Sequence, residues 1–242
     1  MANGRRFCFP FRQLESVYFI TGTDTGVGKT VLTALLAGFL RARGVNAAAL
    51  KPVCSGGRAD ARALRAAMDG ALSLDEINPW HFRAPLAPLL AARHERKHLR
   101  LAPILSHLHT LKLRFDVLLV EGAGGLLSPL GENFDSGDLL AALGATPLIV
   151  APNRLGAINH VLLTLDALPQ NEAGTARVVL MAPPRPDAAT RTNASLLAEL
   201  VRGNRIFTLP WLADVSPAAA LSKPAVRRTL GALLGLERER SR

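Results

Sequence analysis

The sequence contains little cysteine and few aromatic residues, and it has no long apolar run. Its two cysteines, Cys8 and Cys54, have neither the spacing of metal ligands nor that of a disulfide framework, which indicates reduced thiols in a cytoplasmic protein. The longest apolar stretches, such as residues 146–151 and 178–182, have the length of a strand and are bounded by proline. Neither is long enough to span a bilayer, so we expect no membrane partner.

The N-terminal residues show no signal-peptide pattern. Residues 1–11 lack a sustained apolar core and a small-residue cleavage site. They are basic and poor in acidic residues, which also suits an organellar presequence, but we expect residues 1–16 to form a short flexible extension. The 242-residue length and a hydrophobic fraction of 49% spread along the chain predict a single domain at residues 17–242.

The formal net charge of +10 raises the possibility of nucleic-acid binding. The arginines are scattered from Arg5 to Arg242, however, the aromatic fraction is only 5%, and no helix-turn-helix, zinc or RNA-binding signature is present. We interpret the charge as an arginine-rich solvated surface with basic ends and expect no specific nucleic-acid partner. It also attracts an anionic nucleotide and substrate towards a cleft.

The histidines and hydroxyl residues show no catalytic or metal-binding arrangement. None of the six histidines has a spacing that indicates a metal site. His94 and His98 are four residues apart on a predicted helix, but that helix is rich in Arg and Glu, which indicates a solvated face. No Ser/His/Asp or Cys/His arrangement stands out, and Cys54 has no partner base visible in the sequence.

The most informative motif is the glycine-rich segment Gly22-Thr-Asp-Thr-Gly-Val-Gly-Lys-Thr30, between a predicted strand at residues 17–20 and a predicted helix at residues 31–40. Its glycines let successive N–H groups converge on phosphate oxygens, and the positive end of the helix adds to this attraction. Lys29 supplies a charge to the β- and γ-phosphates, and the Thr30 hydroxyl suits Mg²⁺.

The first glycine comes one residue earlier than the common P-loop spacing allows. The alternative is a strand-to-helix turn with incidental glycines. The residues assigned to nucleotide binding are Thr25, Gly26, Val27, Gly28, Lys29 and Thr30 of this loop, together with Glu121.

Strands and helices alternate along the rest of the chain. Strands are predicted at residues 46–53, 115–120, 148–151, 178–181 and 206–209. Helices are predicted at residues 59–68, 89–98, 103–112, 159–168, 190–201 and 224–236. This alternation predicts an α/β fold with a mainly parallel sheet, covered by helices on both faces. Ligands bind beyond the carboxyl ends of such strands, so the loops near Gly22, Lys51 and Glu121 meet at one edge if their strands are neighbours.

Three charged residues at these loops are candidates for the chemistry. Glu121 follows the apolar strand at the position where nucleotide hydrolases carry a metal-binding or water-holding carboxylate. Asp60 lies at a predicted helix start, and Lys51 precedes Pro52 at a strand end. Thr30, Asp60 and Glu121 together provide hard oxygen ligands for Mg²⁺, and Lys51 could hold an anionic acceptor against the γ-phosphate. The alternatives are a turn residue, a helix-start residue and a surface lysine, respectively.

Four segments of the chain carry a family resemblance. They are residues 21–30, Lys51-Pro-Val-Cys-Ser-Gly56, Glu121-Gly-Ala-Gly-Gly125 and Leu155-Gly-Ala-Ile-Asn-His160, with weaker matches at residues 78–82 and 209–212. In this order they resemble the dethiobiotin synthetases, from about Tyr18 to the C-terminus. The longer glycine spacing is that family's own form of the P-loop.

The resemblance implies a P-loop NTPase-like enzyme that uses ATP and Mg²⁺ to close a ring. In the family, 7,8-diaminononanoate takes up CO₂ as a carbamate, ATP phosphorylates the carbamate, and the second amine displaces phosphate to give dethiobiotin. By resemblance, Lys29 and Lys51 are the catalytic residues, and Thr30, Asp60 and Glu121 hold the metal. Ser55 touches the diamine. Leu155, Gly156 and Asn159 bind the distant carboxylate of the substrate from the partner subunit of a homodimer, where a helix N-terminus suits an anion.

The sequence departs from the family pattern after the strand predicted at residues 178–181. The family commonly has an asparagine there that contacts the nucleotide base, whereas this chain has Ala182-Pro183-Pro184. Backbone groups of Pro210, Trp211 and Leu212 are the alternative contacts to the base, unless this segment is a plain loop.

Two other functions fit the motifs. One is a partitioning or positioning ATPase that binds DNA or membrane, although proteins resembling ParA or MinD usually carry an extra lysine at the start of the loop, and residues 21–28 contain none. The other is a catalytically weakened relative retained for binding, since the asparagine is missing.

Overall fold

The computed structural model describes residues 14–203 and 205–236. The extension predicted at residues 1–16 falls mostly outside these residues, as does Cys8, and so do the basic ends at Arg5 and residues 238–242. The extension and the domain boundary at residue 17 remain predictions.

The described residues contain a main sheet of six strands and two short strand pairs. The strands are β1 (Val17–Gly22), β2 (Ala47–Leu50), β3 (Val53–Cys54), β4 (Trp80–His81), β5 (Val117–Glu121), β6 (Pro129–Gly131), β7 (Phe134–Asp135), β8 (Thr146–Pro152), β9 (Arg177–Met181) and β10 (Ile206–Leu209). The main sheet has the order β10-β9-β8-β1-β5-β2, and every pairing in it is parallel. β3 pairs with β4, and β6 pairs with β7 in antiparallel fashion.

Eleven helices connect these strands in the described part of the chain. They are α1 (Lys29–Arg41), α2 (Ala59–Ala67), α3 (Leu74–Ile77), α4 (Pro88–His94), α5 (Leu101–Lys112), α6 (Ser136–Leu143), α7 (Ala157–Asp166), α8 (Gln170–Ala173), α9 (Ala188–Leu200), α10 (Pro217–Ser222) and α11 (Pro224–Leu233). Strands that alternate with helices in this way form parallel sheets because each crossover needs a helix-length connection.

The core lies on both sides of the central strands. Every residue of β1 and of β5 is buried. Because successive side chains of a strand point to opposite faces, this burial requires cover on both faces of the sheet. α1 packs against β1, β2 and β5, with α2 and α10 alongside it. The predicted fold class, a mainly parallel α/β sheet covered by helices, is confirmed.

One predicted strand is wrong in a way that matters for the site. A single strand was expected at residues 46–53, but the main-sheet ladder ends at Leu50. Pro52 has no N–H to donate to a neighbouring strand, so the chain leaves the sheet at this point. The next two residues pair with Trp80–His81 instead. Lys51 therefore lies where the chain turns away from the sheet edge.

The helix predicted at residues 89–98 is also shorter than expected. α4 begins at Pro88 and ends at His94, and Arg96 follows with a φ of 54°. That left-handed backbone cannot continue an α-helix. His94 and His98 therefore do not share a helical face.

Candidate functional site

The loop between β1 and α1 presents an ammonium group and main-chain donors at the start of a helix. Gly26 and Gly28 have φ values of 74° and 104°, which residues with a Cβ rarely adopt. Within the described residues, the N–H groups of Gly26, Val27 and Gly28 donate to no main-chain acceptor. The Lys29 Nζ donates to the carbonyl of Asp24 at 2.8 Å, which holds it inside the loop. This arrangement suits a polyphosphate.

Next to this loop, one lysine lies between two carboxylates. The Lys51 Nζ is 2.6 Å from the Glu121 Oε1 and 2.6 Å from the Asp60 Oδ2. Thr30 donates its hydroxyl to the Glu121 Oε1 at 2.8 Å, which ties the start of α1 to the same group. Lys51 is 6% exposed and Glu121 is 1% exposed, whereas the side chain of Asp60 is 47% exposed. The cluster is therefore closed on the sheet side and open beside Asp60.

The strand order explains why these residues meet. β5 lies between β1 and β2, so Glu121 at the end of β5 is flanked by the glycine-rich loop and by Lys51. Parallel strands bring their carboxyl ends to one edge of the sheet. The structure thus brings together Lys29, Thr30, Lys51, Asp60 and Glu121, which the sequence placed in three separate loops.

The two lysines differ in their electrostatic surroundings. Burial lowers the pKa of Lys29 to about 8, and the nearby charge of Lys51 acts in the same direction. Burial also acts to lower the pKa of Lys51, but the charges of Glu121 and Asp60 outweigh it and raise that pKa above its ordinary value. Burial opposes ionisation of Asp60, yet the charge of Lys51 keeps the pKa of Asp60 below its ordinary value. Near neutral pH, Lys51 is a fixed positive charge.

A cleft of about 420 Å³ opens onto this cluster. Its lining includes Thr25, Lys51, Ser55 and Asp60, together with the backbone around Gly124 and residues 85–88. Ser55 lies at the rim and donates its hydroxyl to the carbonyl of Leu86 at 2.5 Å. The cleft has a charged floor and an apolar wall, which suits a flexible aliphatic molecule with polar ends.

The donor set at the cluster fits Mg²⁺. The Glu121 Oε2 is buried and has no hydrogen-bond partner among the described residues. A buried carboxylate oxygen without a partner is costly unless something binds it. Thr30, Asp60 and Glu121 offer hard oxygen atoms, and Mg²⁺ takes its remaining ligands from water and phosphates. Within residues 14–203 and 205–236, no three His, Cys, Asp or Glu residues are grouped to hold a metal.

Some predicted site residues lie outside the cleft. Leu155 is 85% exposed, and Gly156 and Asn159 are also exposed, at the start of α7 beyond the carboxyl end of β8. They share the sheet edge with the cluster but do not line its cleft. Their position is accessible to a second molecule.

The predicted base-contacting residues follow β10 at the same sheet edge. Pro210 is half-buried, Trp211 is 54% exposed and Leu212 is buried. The N–H of Ala182 donates to the carbonyl of Leu209 at 3.0 Å, which joins the segments after β9 and β10.

Other residues around the cluster were not expected from the sequence. Asn78 is fully buried and binds the backbone of Lys51, and Arg58 lies directly before α2. Cys54 lines the cleft, where burial raises the pKa of its thiol although a hydrogen bond to Asn78 acts against this. Its thiol therefore stays protonated near neutral pH. The sequence signal for Asn78 was the weak match at residues 78–82, and Cys54 lies within the matched segment 51–56.

The fold and the loop define the class of the molecule as a P-loop nucleotide-binding protein. A family model described as an AAA domain matches residues 16–219. The ATP-dependent dethiobiotin synthetase BioD of Anaeromyxobacter dehalogenans is 40% identical over 222 residues, which cover 90% of this chain and 96% of that protein. The protein of the same name from Bacillus velezensis is 35% identical over 205 residues, or 82% of this chain and 88% of that protein. The chain belongs to the dethiobiotin synthetase family.

Solved structures show the same fold at low identity. A ParA family ATPase from Chlorobium tepidum superimposes with a TM-score of 0.58 at 14% identity, covering 89% of this chain and 97% of that one. The MinD cell division protein of Aquifex aeolicus superimposes with a TM-score of 0.58 at 16% identity, covering 93% of this chain and 99% of that one. At this level of identity, the likeness concerns the fold alone.

The buried lysine and carboxylate make a testable contribution to stability. Replacing Lys51 by Met leaves the Glu121 carboxylate buried without its cation, and we expect the free energy of unfolding to fall by about 3–5 kcal/mol. Urea denaturation of the ligand-free protein measures this change. In a Glu121→Gln background the same substitution should cost much less, because no buried charge is left unpaired.

A matched control is Lys97→Met, which removes a surface pair with Glu95 at 3.0 Å. We expect it to leave stability unchanged because exposed pairs contribute little. If Lys51→Met lowers the free energy of unfolding by the same amount in the wild-type and Glu121→Gln backgrounds, Lys51 and Glu121 are not energetically coupled.

Proposed function

We propose that this chain catalyses ATP-dependent formation of dethiobiotin from 7,8-diaminononanoate and CO₂, a step of biotin biosynthesis. The position of Lys51, 2.6 Å from both Glu121 and Asp60 beside the P-loop, is the observation that carries this proposal. Relatives named ATP-dependent dethiobiotin synthetase match 82–90% of the chain, which supports the same activity.

The reaction joins one carbon to two amines. One amine adds to CO₂ and loses a proton to give a carbamate. A carbamate oxygen attacks the γ-phosphorus of ATP, and ADP leaves, so a carbamic-phosphoric anhydride forms. The second amine attacks the carbamoyl carbon, phosphate leaves, and loss of a proton completes the ureido ring.

The two lysines offset the repulsion between the reacting anions. A carbamate is a weak nucleophile, and it must approach a triphosphate that carries several negative charges. Lys29, held in the loop at the start of α1, pairs with the β- and γ-phosphates. Lys51 holds the carbamate and the transferring phosphoryl group from the other side. Fixed charges in a buried site act with little reorganisation, which is why we assign catalysis to them.

Thr30, Asp60 and Glu121 are the residues that would hold Mg²⁺. When bound, Mg²⁺ neutralises negative charge on the phosphates. The half-exposed Asp60 lies on the open side of the cluster, where the nucleotide can supply the remaining ligands. Ser55, at the cleft rim, contacts the diamine.

The far end of the substrate is bound by a second copy of the chain. Leu155, Gly156 and Asn159 bind its carboxylate at the N-terminus of α7, whose positive end suits an anion. Three exposed leucines, Leu155, Leu163 and Leu200, support a homodimer because they lie on or beside α7 and α9. Large exposed apolar residues of this kind often mark protein interfaces.

The adenine base lies against the segment after β10. Backbone groups of Pro210, Trp211 and Leu212 contact it, since Ala182 stands where the family asparagine is expected. Because ATP is an intracellular metabolite, we place the reaction in the cytoplasm. Within the described residues, no helix has the length and apolar character needed to cross a membrane.

A positioning ATPase is the second candidate, favoured by the fold of ParA and MinD. That likeness extends only to the fold, and residues 21–28 contain no lysine at the start of the loop.

The central prediction concerns the product and the two lysines. With ATP, Mg²⁺, bicarbonate and the diamine, the protein should form dethiobiotin, detected by mass, and release phosphate only when diamine and bicarbonate are both present. Lys51→Met should reduce ring closure by about 100-fold or more, since it removes a charge from the reacting groups, while ATP affinity stays within about threefold. Lys29→Met should lower both the rate of ring closure and the affinity for ATP.

Phosphate release that depends on DNA or lipid would favour the positioning ATPase instead. Full ring closure by Lys51→Met would remove its catalytic role.

The metal assignment predicts a shift in the Mg²⁺ requirement. Asp60→Asn should raise the Mg²⁺ concentration for half-maximal activity by about tenfold, because a charged oxygen ligand becomes a neutral one. Asp69→Asn is a matched control two residues after the end of α2, where its φ of 53° suits asparagine. An unchanged Mg²⁺ titration for Asp60→Asn would exclude this residue from the metal site.

The shared site can be tested by mixing Lys51→Met with Asn159→Ala, which we also expect to lose activity because it removes a side chain assigned to the substrate carboxylate. In a heterodimer of Lys51→Met and Asn159→Ala subunits, one of the two sites combines the intact Lys51 with the intact Asn159. An equal mixture that exchanges subunits should therefore regain about a quarter of wild-type activity. No recovery in mixtures shown by mass spectrometry to contain heterodimers would place both residues in one subunit's site.

A further inference from the structure

Asn78 is a fully buried polar residue with no part in the reaction described above. It follows α3 directly. Its Nδ2 donates to the carbonyl of Lys51 at 2.7 Å and lies 3.4 Å from the carbonyl of Pro52. Its Oδ1 accepts a hydrogen bond from the Cys54 Sγ at 3.1 Å. All of its side-chain bonds therefore reach the segment that carries Lys51.

This segment depends on residues 77–80 because it has left the main sheet. The β2 ladder ends at Leu50, and Pro52 cannot donate a main-chain hydrogen bond. The N–H of Lys51 donates to the carbonyl of Ile77 at 3.0 Å, and the N–H of Trp80 donates to the carbonyl of Pro52 at 3.1 Å. Within the described residues, Lys51 thus has no hydrogen bonds of the main sheet. These two main-chain bonds and the Asn78 side chain hold its backbone instead.

Residues 74–78 also hold Arg58, the residue that precedes α2. The Arg58 guanidinium donates to the carbonyl of Asn78 at 3.1 Å, to the Asp75 Oδ1 at 2.8 Å and to the carbonyl of Leu74. The side chain of Arg58 is only 16% exposed. α2 begins at the next residue, and Asp60 lies in its first turn. Residue 78 is thus bonded to the chain on both sides of the 2.6 Å contact between Lys51 and Asp60.

We propose that Asn78 is a positioning residue that holds the backbone of Lys51 so that its ammonium reaches both Glu121 and the bound carbamate. This inference rests on the proposed function. Asn78 does not line the cleft, so its effect on the reaction must pass through residues that it holds, and Lys51 is the charged one among those bonded to its side chain. A buried amide with three partners is suited to fixing a backbone position, because losing it leaves carbonyl groups unpaired in the interior.

The test compares Asn78→Ala with Asn46→Ala in the full chain. Asn46 is a matched control at the other end of β2, where its Nδ2 donates to the carbonyl of Arg114 at 2.8 Å. We expect Asn78→Ala to lower kcat for dethiobiotin by about 10- to 100-fold, since a shift of about 1 Å at a reacting group has effects of this size. KM for ATP should stay within about twofold, because the P-loop is untouched. Asn46→Ala should keep wild-type kcat.

A double-mutant cycle with Lys51→Met separates positioning from general destabilisation. If Asn78 acts through Lys51, Asn78→Ala lowers the residual single-turnover rate no further in the Lys51→Met background. If Asn78→Ala does not fold, Asn78→Thr takes its place, because threonine has nearly the volume of asparagine, adds no charge and can donate only one hydrogen bond.

A wild-type kcat in a folded Asn78 variant would overturn the inference. So would a fall in rate on Asn78 substitution that is as large in the Lys51→Met background as in the wild-type chain. A wild-type chain that forms no dethiobiotin would overturn the proposed function, and this inference with it. The two failures are therefore distinguishable.

Discussion

The site depends on one buried ion pair, between Lys51 and Glu121, with Asp60 completing it on the solvent side. Removing a lysine and a carboxylate from water is costly, and the attraction between them offsets this cost only when their geometry is held closely. The sheet provides that geometry because β1, β5 and β2 are neighbours. The cost is consistent with a functional role, since an apolar pair would stabilise the same position more simply.

In the proposed mechanism, the same pair links nucleotide binding to the second substrate. Glu121 accepts hydrogen bonds from Lys51 and from Thr30, so it contacts both the residue directly after β2, to which we assign binding of the acceptor, and the helix that follows the P-loop. Its second oxygen has no partner within the described residues and is available to a metal ion. In the proposed mechanism, one carboxylate therefore contacts the lysine, the hydroxyl and the metal, and so helps to align the phosphoryl transfer.

Much of this could be predicted from the sequence, because the glycine-rich loop and the apolar residues before Glu121 are local patterns. The rule that parallel strands end at one edge brings the three loops together only if their strands are neighbours. The strand order, and with it the contact between Lys51 and Glu121, comes from the structure. The support for Lys51 could not be predicted, since Asn78 acts from a proline-rich connection 27 residues away. Pro52 was the available signal that the strand ends at Leu50. No helix was predicted at α3, although Ser73 and Glu76 have the spacing of a capping box.

The most direct test is a crystal structure of the chain with a non-hydrolysable ATP analogue, Mg²⁺ and the diamine carbamate. The account predicts the triphosphate in the Gly26–Lys29 loop, with the Lys51 Nζ within hydrogen-bonding distance of both the carbamate and the γ-phosphate. It also predicts Mg²⁺ beside Glu121. A carbamate bound in another cleft, with Lys51 still paired only to its carboxylates, would contradict the account.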